Sequence, residues 1–351
     1  MNDSSWGAPP PSAGHPGHWS PPEQGAPSLR GEVPPASAGP VRGGGDTSQT
    51  RHMPTVPDPP GGDQDGRDDR TAGPAAQGRS AGRKRAGRDL PAAIGVGLGL
   101  GAVILASLFV YKPVFVGVVV VAVVVGLWEL TSRLSERKQI RVPLVPLAVG
   151  GAAMVVAGYV RGAEGAWVAM ALTTLAVLVW RMTESPGEYL RDVTAGLFAA
   201  FYVPFLATFV AMMLAADDGP QRVLTFLVLT VVSDTGAYAV GWRFGRHKLA
   251  PRISPGKTRE GLLGAVAFSM VAGALCTHFL IDGGTWWQGL LLGLAVAISA
   301  TLGDLGESMI KRDLGIKDMG ALLPGHGGIM DRLDSLLPTA PIVWLLLVAF
   351  V

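Results

Sequence analysis

The chain contains almost no cysteine. Cys276 is the single cysteine among 351 residues, which excludes an intramolecular disulfide, and its apolar neighbours favour a small buried hydrophobe. The start of the chain also lacks an apolar stretch. We therefore expect no cleaved signal peptide and interpret the first hydrophobic segment as an uncleaved anchor.

Residues 1–90 contain few aliphatic residues. They hold 15 of the 27 prolines and 16 of the 48 glycines, a composition typical of disorder because no buried apolar surface offsets the entropy of ordering. We predict that residues 1–90 form a disordered cytoplasmic tail. This tail either serves as a tether or has no role. Its basic end, residues 79–88, favours contact with anionic lipid over nucleic acid.

From residue 91 onward, long runs of valine, alanine, leucine and glycine dominate. We count nine hydrophobic segments, each near the length that crosses roughly 30 Å of hydrocarbon. They span 91–110, 114–131, 143–160, 164–181, 193–215, 222–242, 261–281, 286–308 and 335–351. This pattern predicts an all-α polytopic membrane domain over 91–351. Because the break at 111–113 is short, residues 91–131 form either two spans or one kinked helix.

The charges of the connecting loops predict an orientation. Sixteen lysines and arginines lie in alternate loops and the adjoining helix ends, and three lie in the others. The basic loops are 132–142, 182–192, 243–260 and 309–334, and the three other cations are Lys112, Arg161 and Arg222. By the positive-inside rule, the basic loops and the tail are predicted to be cytoplasmic, in a multi-pass protein of the plasma membrane.

Two predicted spans carry ionisable residues, which default to a functional interpretation inside a membrane. Asp234 lies within the sixth span. At the end of the eighth, Asp304, Ser308 and Lys311 follow at intervals of four and three, so that one helical face is polar, with Glu307 beside it. The alternative is a pair of helix ends emerging into water.

The basic loops supply the opposite charge. Alone, their cations would serve equally as topological determinants or as contacts to lipid headgroups. Clustered with carboxylates at one membrane face, they indicate a divalent metal and phosphate groups. Glycines within 325–328 let backbone amides approach phosphate oxygens closely.

Three motifs carry a family resemblance. Residues 308–334 read SMIKRDLGIKDMGALLPGHGGIMDRLD, residues 233–238 read SDTGAY, and residues 254–261 read SPGKTREG. Together they resemble the signature of bacterial phosphatidate cytidylyltransferases (CDP-diacylglycerol synthases). The resemblance covers residues 91–351 and leaves the tail outside.

The resemblance implies a reaction. CTP and phosphatidic acid would give CDP-diacylglycerol and pyrophosphate, with Mg²⁺ and a possible second cation, in a polytopic helical homodimer without nucleic acid. Both substrates are anionic, so both need cations. Since phosphatidic acid is a competent nucleophile near neutral pH, we assign no general base.

Charge and motif position give each candidate residue a role. The metal ligands would be Asp304 and Asp331, and Asp234 and Asp334 would support them or bind a second cation. The catalytic set is Lys257, Lys311, Arg312, His326 and Asp334; the substrate-binding set is Asp234, Lys257, Arg312, Lys317, Gly327, Gly328 and Arg332. His326 would orient a phosphate or support its glycine loop. Glu260 and Glu307 are expected to pair with nearby cations.

Other classes of protein give different expectations. A CDP-alcohol phosphatidyltransferase would need a DG-x2-AR acidic motif, which we do not find in the sequence, and a CTP-dependent lipid kinase would release CDP rather than pyrophosphate. A transporter would place its charges near the bilayer midplane between matching halves. A membrane scaffold would explain the tail but not the polar loop at 309–334.

Overall fold

The structure, a computed structural model, describes residues 90–322 and 327–351. The predicted disordered tail and His326 therefore lie outside the described residues. The rest is almost entirely helical, which confirms the predicted all-α polytopic class. The helices are α1 Leu90–Val110, α2 Lys112–Lys138, α3 Leu144–Met182, α4 Tyr189–Ala200, α5 Leu206–Ala215, α6 Gly219–Phe244, α7 Arg259–Leu280, α8 Trp286–Asp313, α9 Met330–Leu333 and α10 Leu336–Phe350.

The predicted number of spans is wrong. Within residues 90–322 and 327–351, seven helices are long and apolar enough to cross a membrane, rather than nine. The apolar part of α1, Gly97–Val110, falls below that length. The predicted segments 143–160 and 164–181 are the two arms of α3. This 39-residue segment counts once among the seven, although non-helical backbone at Gly162 divides it into two helices. A π-helical turn at Phe201–Phe205 joins α4 and α5 into one apolar segment.

Helix α3 folds back on itself at Gly162. The backbone there has φ 63° and ψ −146°, a conformation that glycine adopts without steric cost. A side chain at Gly150 would overlap the methyl and hydroxyl groups of Thr173, although a straight helix would separate these residues by about 35 Å. The two arms of α3 therefore lie side by side, and both of its ends reach the same end of the bundle.

Helices α1 and α2 are separate, which resolves the alternative of one kinked helix. Tyr111 between them is extended, with φ −158° and ψ 111°. At the start of α2, the Lys112 ammonium donates to the carbonyl of Ala216 at 2.7 Å. This contact ties the beginning of α2 to the turn between α5 and α6.

The four basic loops meet at one end of the bundle, as their charges predict. We call this the polar end; it comprises residues 132–143, 181–192, 243–260, 309–322 and 327–334. Three contacts join the loops: Lys138 with Asp313 at 3.0 Å, Arg312 with the Ile253 carbonyl at 3.2 Å, and Arg191 with the Gln139 carbonyl at 2.8 Å. The structure thus places these loops on one face of the protein.

A buried ion pair closes the connection between α3 and α4. The Arg181 guanidinium donates to Asp192 at 3.0 Å, and each side chain is 2% exposed. The same guanidinium also donates to the carbonyls of Ser185 and Gly187, both at 2.8 Å. The pair therefore has the additional hydrogen bonds that a buried charge requires.

Replacing Arg181 with alanine should lower the free energy of unfolding by about 3–5 kcal/mol, because Asp192 would remain buried without its partner. Thermal unfolding of the detergent-solubilised protein measures this. Arg191→Ala is the matched control, since its side chain is 44% exposed and exposed pairs contribute little. Equal transition temperatures for the two variants would contradict the prediction.

Small residues bring α7 and α8 close together. A side chain at Gly273 would overlap the backbone of Gly289, and one at Gly293 would overlap the backbone of Ser269. Such contacts allow membrane helices to approach closely. They fix α8, which carries Asp304 and Lys311 to the polar end.

Candidate active site

The first part of the site is an ion pair between a hairpin and a helix. Strands β1 (Lys248–Ala250) and β2 (Ser254–Thr258) form a short antiparallel hairpin, and β2 carries Lys257. The Lys257 ammonium lies 2.7 Å from the Asp304 carboxylate of α8, and both side chains are partly exposed. The threonine that ends the hairpin, Thr258, accepts a hydrogen bond from Gly261 at 3.1 Å and begins α7. The hairpin is thereby anchored beside α8.

The second part is a lysine held between two carboxylates. The Lys311 ammonium lies 2.6 Å from Glu307, one turn earlier in α8, and 3.1 Å from Asp331 in α9. The Glu307 side chain is fully buried and Asp331 nearly so. Lys311 therefore joins α8 to the segment that follows the glycine-rich loop.

Asp331 also holds the backbone of that loop. It accepts hydrogen bonds from the backbone N–H of Met319, at 3.0 Å, and of Gly328, at 2.8 Å. Gly327 has φ 78°, and a side chain there would lie against the Asp331 carboxylate. Both the positive φ and the lack of space require glycine at this position.

Asp234 and Asp334 lie beside the Lys257–Asp304 pair. Helix α8 packs through Gly303 on the backbone of Asp334, and the carboxylates of Asp234, Asp304 and Asp334 are close enough to interact electrostatically. Asp334 also accepts a hydrogen bond from the N–H of Ser335 at 2.7 Å. The structure therefore brings together three acidic residues from three helical segments.

The remaining predicted residues lie nearer the surface of the polar end. Arg312 donates to the carbonyl of Ile253 in the hairpin turn, and Arg312, Lys317 and Arg332 are exposed. Glu260 pairs with His247, whose ring nitrogen lies 2.6 Å away. Arg312, Lys317 and Arg332 take no part in the Lys257–Asp304 and Lys311–Asp331 pairs.

Glu129 in α2 was missed by the sequence analysis. Its side chain is buried, and it accepts hydrogen bonds from the N–H groups of Ile329, at 3.1 Å, and Met330, at 2.8 Å. A signal was available in the sequence, because Glu129 is an acidic residue inside the predicted span 114–131. Ionisable residues within membrane spans are by default interpreted as functional.

A magnesium site at the polar end would have to be completed by substrate. Within residues 90–322 and 327–351, no group of three His, Cys, Asp or Glu residues is placed to hold a metal. Mg²⁺ often takes only one or two protein carboxylates together with phosphate oxygens and water. Asp304 and Asp331 supply two carboxylates, and the hydrogen bonds that orient Asp331 are of the kind that support ligating carboxylates.

Fold and site together define a multi-pass membrane protein with paired lysines and carboxylates at one end. The model of the Cytidylyltransferase family matches residues 91–350. The chain belongs to this family, and it is a nucleotidyltransferase. This confirms the resemblance drawn from the three sequence motifs.

Several curated relatives carry a more specific name. A phosphatidate cytidylyltransferase of Mycobacterium bovis is 42% identical over 276 residues, covering 75% of this chain and 90% of that protein. Proteins of the same name from Mycobacterium leprae and Haemophilus influenzae are 41% identical over 279 residues and 30% over 270. These matches cover 75% and 68% of this chain, and 89% and 92% of the relatives.

Proposed function

We propose that the protein is a phosphatidate cytidylyltransferase of phospholipid biosynthesis. It would transfer CMP from CTP to phosphatidic acid, giving CDP-diacylglycerol and pyrophosphate. The observation that carries the proposal is that the Lys257–Asp304 and Lys311–Asp331 pairs, which share helix α8, both lie at the polar end of a chain in the cytidylyltransferase family. Relatives of that name cover most of its length.

The reaction needs charge neutralisation more than proton transfer. An oxygen of the lipid phosphate attacks the α-phosphorus of CTP and forms a new P–O bond. The bond from the α-phosphorus to the bridging oxygen breaks, and pyrophosphate leaves with that electron pair. Lys257 and Lys311, now paired with carboxylates, supply ammonium groups that can bind phosphate oxygens instead.

We also propose that Asp304 and Asp331 hold Mg²⁺, with Asp234 and Asp334 beside them for a second cation or for support. A bound Mg²⁺ neutralises negative charge on the transferring phosphates. Asp304 is suited to this because its carboxylate is partly exposed. Asp331 is oriented by the loop amides.

The outer residues are proposed to bind the substrates. Arg312, Lys317 and Arg332 are exposed cations at the polar end and would hold phosphate oxygens of CTP or the lipid. Gly327 and Gly328 would present backbone amides to phosphate, and His326 would orient a phosphate or support the loop.

The polar end and the tail are proposed to face the cytoplasm, where CTP is found. The excess of lysine and arginine in the loops of that end supports this orientation. We also propose that the protein is a homodimer, as the resemblance of the motifs implies, and that it lies in the plasma membrane.

Detergent-purified enzyme given CTP, phosphatidic acid and Mg²⁺ should produce pyrophosphate and CDP-lipid in equal amounts. Release of CDP with a phosphorylated lipid alcohol would identify a kinase instead. Lys257→Ala should lower turnover about 100-fold, because a charge facing the transferring phosphate is lost. Lys248→Ala, on the other strand of the hairpin, is the control and should keep parental turnover. Parental kinetics for Lys257→Ala would remove Lys257 from the site.

A further inference from the structure

Glu129 connects a helix near the start of the membrane domain to the loop near its end. Its side chain in α2 is 2% exposed. One carboxylate oxygen accepts the N–H of Ile329 at 3.1 Å and the other accepts the N–H of Met330 at 2.8 Å. Hydrogen bonds to an ionised acceptor are stronger than neutral ones. Glu129 therefore holds the backbone immediately before Asp331.

Two glycines enclose the same carboxylate. A Cβ at Gly320 or at Gly328 would overlap the oxygens of Glu129 and lie 2.6–2.7 Å from its carboxyl carbon. The two arms of the loop thus close on Glu129 from both sides. A larger residue at either position displaces the carboxylate or the loop.

One turn further along α2, Arg133 makes a second contact with the loop. Its guanidinium donates to the carbonyl of Met319 at 2.8 Å, and the N–H of Met319 donates to Asp331. Helix α2 therefore contacts the loop before the glycine-rich turn and after it. The position of Asp331 depends on both contacts.

The partners of Glu129 are amides rather than cations. The ion pairs formed by residues 90–322 and 327–351 do not include Glu129. Burying a carboxylate is unfavourable unless hydrogen bonds satisfy it. Its negative charge consequently acts on the loop backbone, two residues from the Asp331–Lys311 pair.

We propose that Glu129 is a positioning residue for the transfer of the cytidylyl group. It fixes residues 328–330 so that Asp331 and Lys311 keep their place relative to Lys257 and Asp304. The role as a positioning residue rests on the proposed function, whereas the support of the loop backbone does not.

Glu129→Gln keeps the size of the side chain and replaces one acceptor oxygen with an NH2 group facing a backbone N–H. We expect kcat to fall about 10- to 100-fold, because small displacements of reacting groups are costly, and KM for CTP to change less than about threefold. The assay follows pyrophosphate release, corrected for the folded fraction. Glu164→Gln removes the same charge at an exposed position and should match the parent.

Hydrogen–deuterium exchange tests the loop without substrate. Amides of residues 327–333 should exchange faster in Glu129→Gln than in the parent. Gly320→Ala presses on the same carboxylate and should have the same effect. In a Glu129→Ala background, Gly320→Ala should add little, since contacting residues are not additive.

Faster exchange with a lower kcat supports the proposal. Unchanged exchange overturns it, and so does a kcat within about twofold of the parent once the folded fraction is counted. A variant that loses thermal stability but keeps a kcat within about twofold of the parent therefore also contradicts the proposal. If the parent enzyme does not convert phosphatidic acid, the proposed function fails and the positioning role with it, while the exchange comparison still decides whether Glu129 holds the loop.

Discussion

Asp304→Asn should lower pyrophosphate release about 100- to 1,000-fold, the usual cost of removing one group that stabilises a charged transition state. The neutral amide can neither balance Lys257, 2.7 Å away, nor contribute a charged oxygen to Mg²⁺. Because a weaker ligand needs more metal, the Mg²⁺ concentration for half-maximal turnover should also rise. A titration of turnover against Mg²⁺ measures both effects.

Asp282→Asn is the matched control, since Asp282 is exposed in the connection between α7 and α8. It should match the parent throughout the titration. Asp331→Asn should shift the Mg²⁺ requirement in the same direction as Asp304→Asn. Near-parental turnover of either active-site variant at limiting Mg²⁺ would show that its carboxylate is not a ligand.

Lys311→Met should reduce both stability and activity. Methionine keeps much of the aliphatic volume, but Glu307 and Asp331 would then be buried without their shared cation. Breaking a buried ion pair costs about 3–5 kcal/mol of folding free energy. Turnover should fall at least about 100-fold, because the ammonium group is lost from the phosphate site. Thermal unfolding and pyrophosphate release measure the two losses.

The double variant Lys311→Met/Glu307→Gln separates these losses. Neutralising Glu307 removes one unpaired buried charge, so stability should recover in part, while activity should not. Lys138→Met is the control, because its ion pair with Asp313 is exposed. Activity that recovers together with stability would show that Lys311 serves the fold alone.

Part of the site was predictable from local patterns. Asp304 and Lys311 lie seven residues apart in an apolar segment, so helical periodicity places them on one face wherever the helix lies. Their partners were not predictable in this way. Lys257 lies in a hairpin 47 residues before Asp304, and Asp331 lies in a short helix 20 residues after Lys311. Whether these side chains come into contact depends on how α8 packs.

The membrane topology was likewise predictable only in part. Loop charge placed four segments on one face, and the contacts among Lys138, Arg312 and Arg191 and their partners agree. Hydropathy divided α3 into two segments, because Arg161 and Glu164 interrupt the apolar run beside Gly162, but it did not show that the chain reverses direction at one residue. Folding back at one residue depends on backbone conformation, which hydropathy does not report.

The sequence by itself determined the membrane class, the grouping of basic loops and the family, because these follow from hydrophobic length, charge and motif spacing. Only the tertiary structure decided which lysine faces which carboxylate and that Glu129 holds the loop from 200 residues away. The physical reason is that a buried charge in a membrane protein is stable only beside its partners. Those partners are brought together by helix packing, which no local pattern encodes.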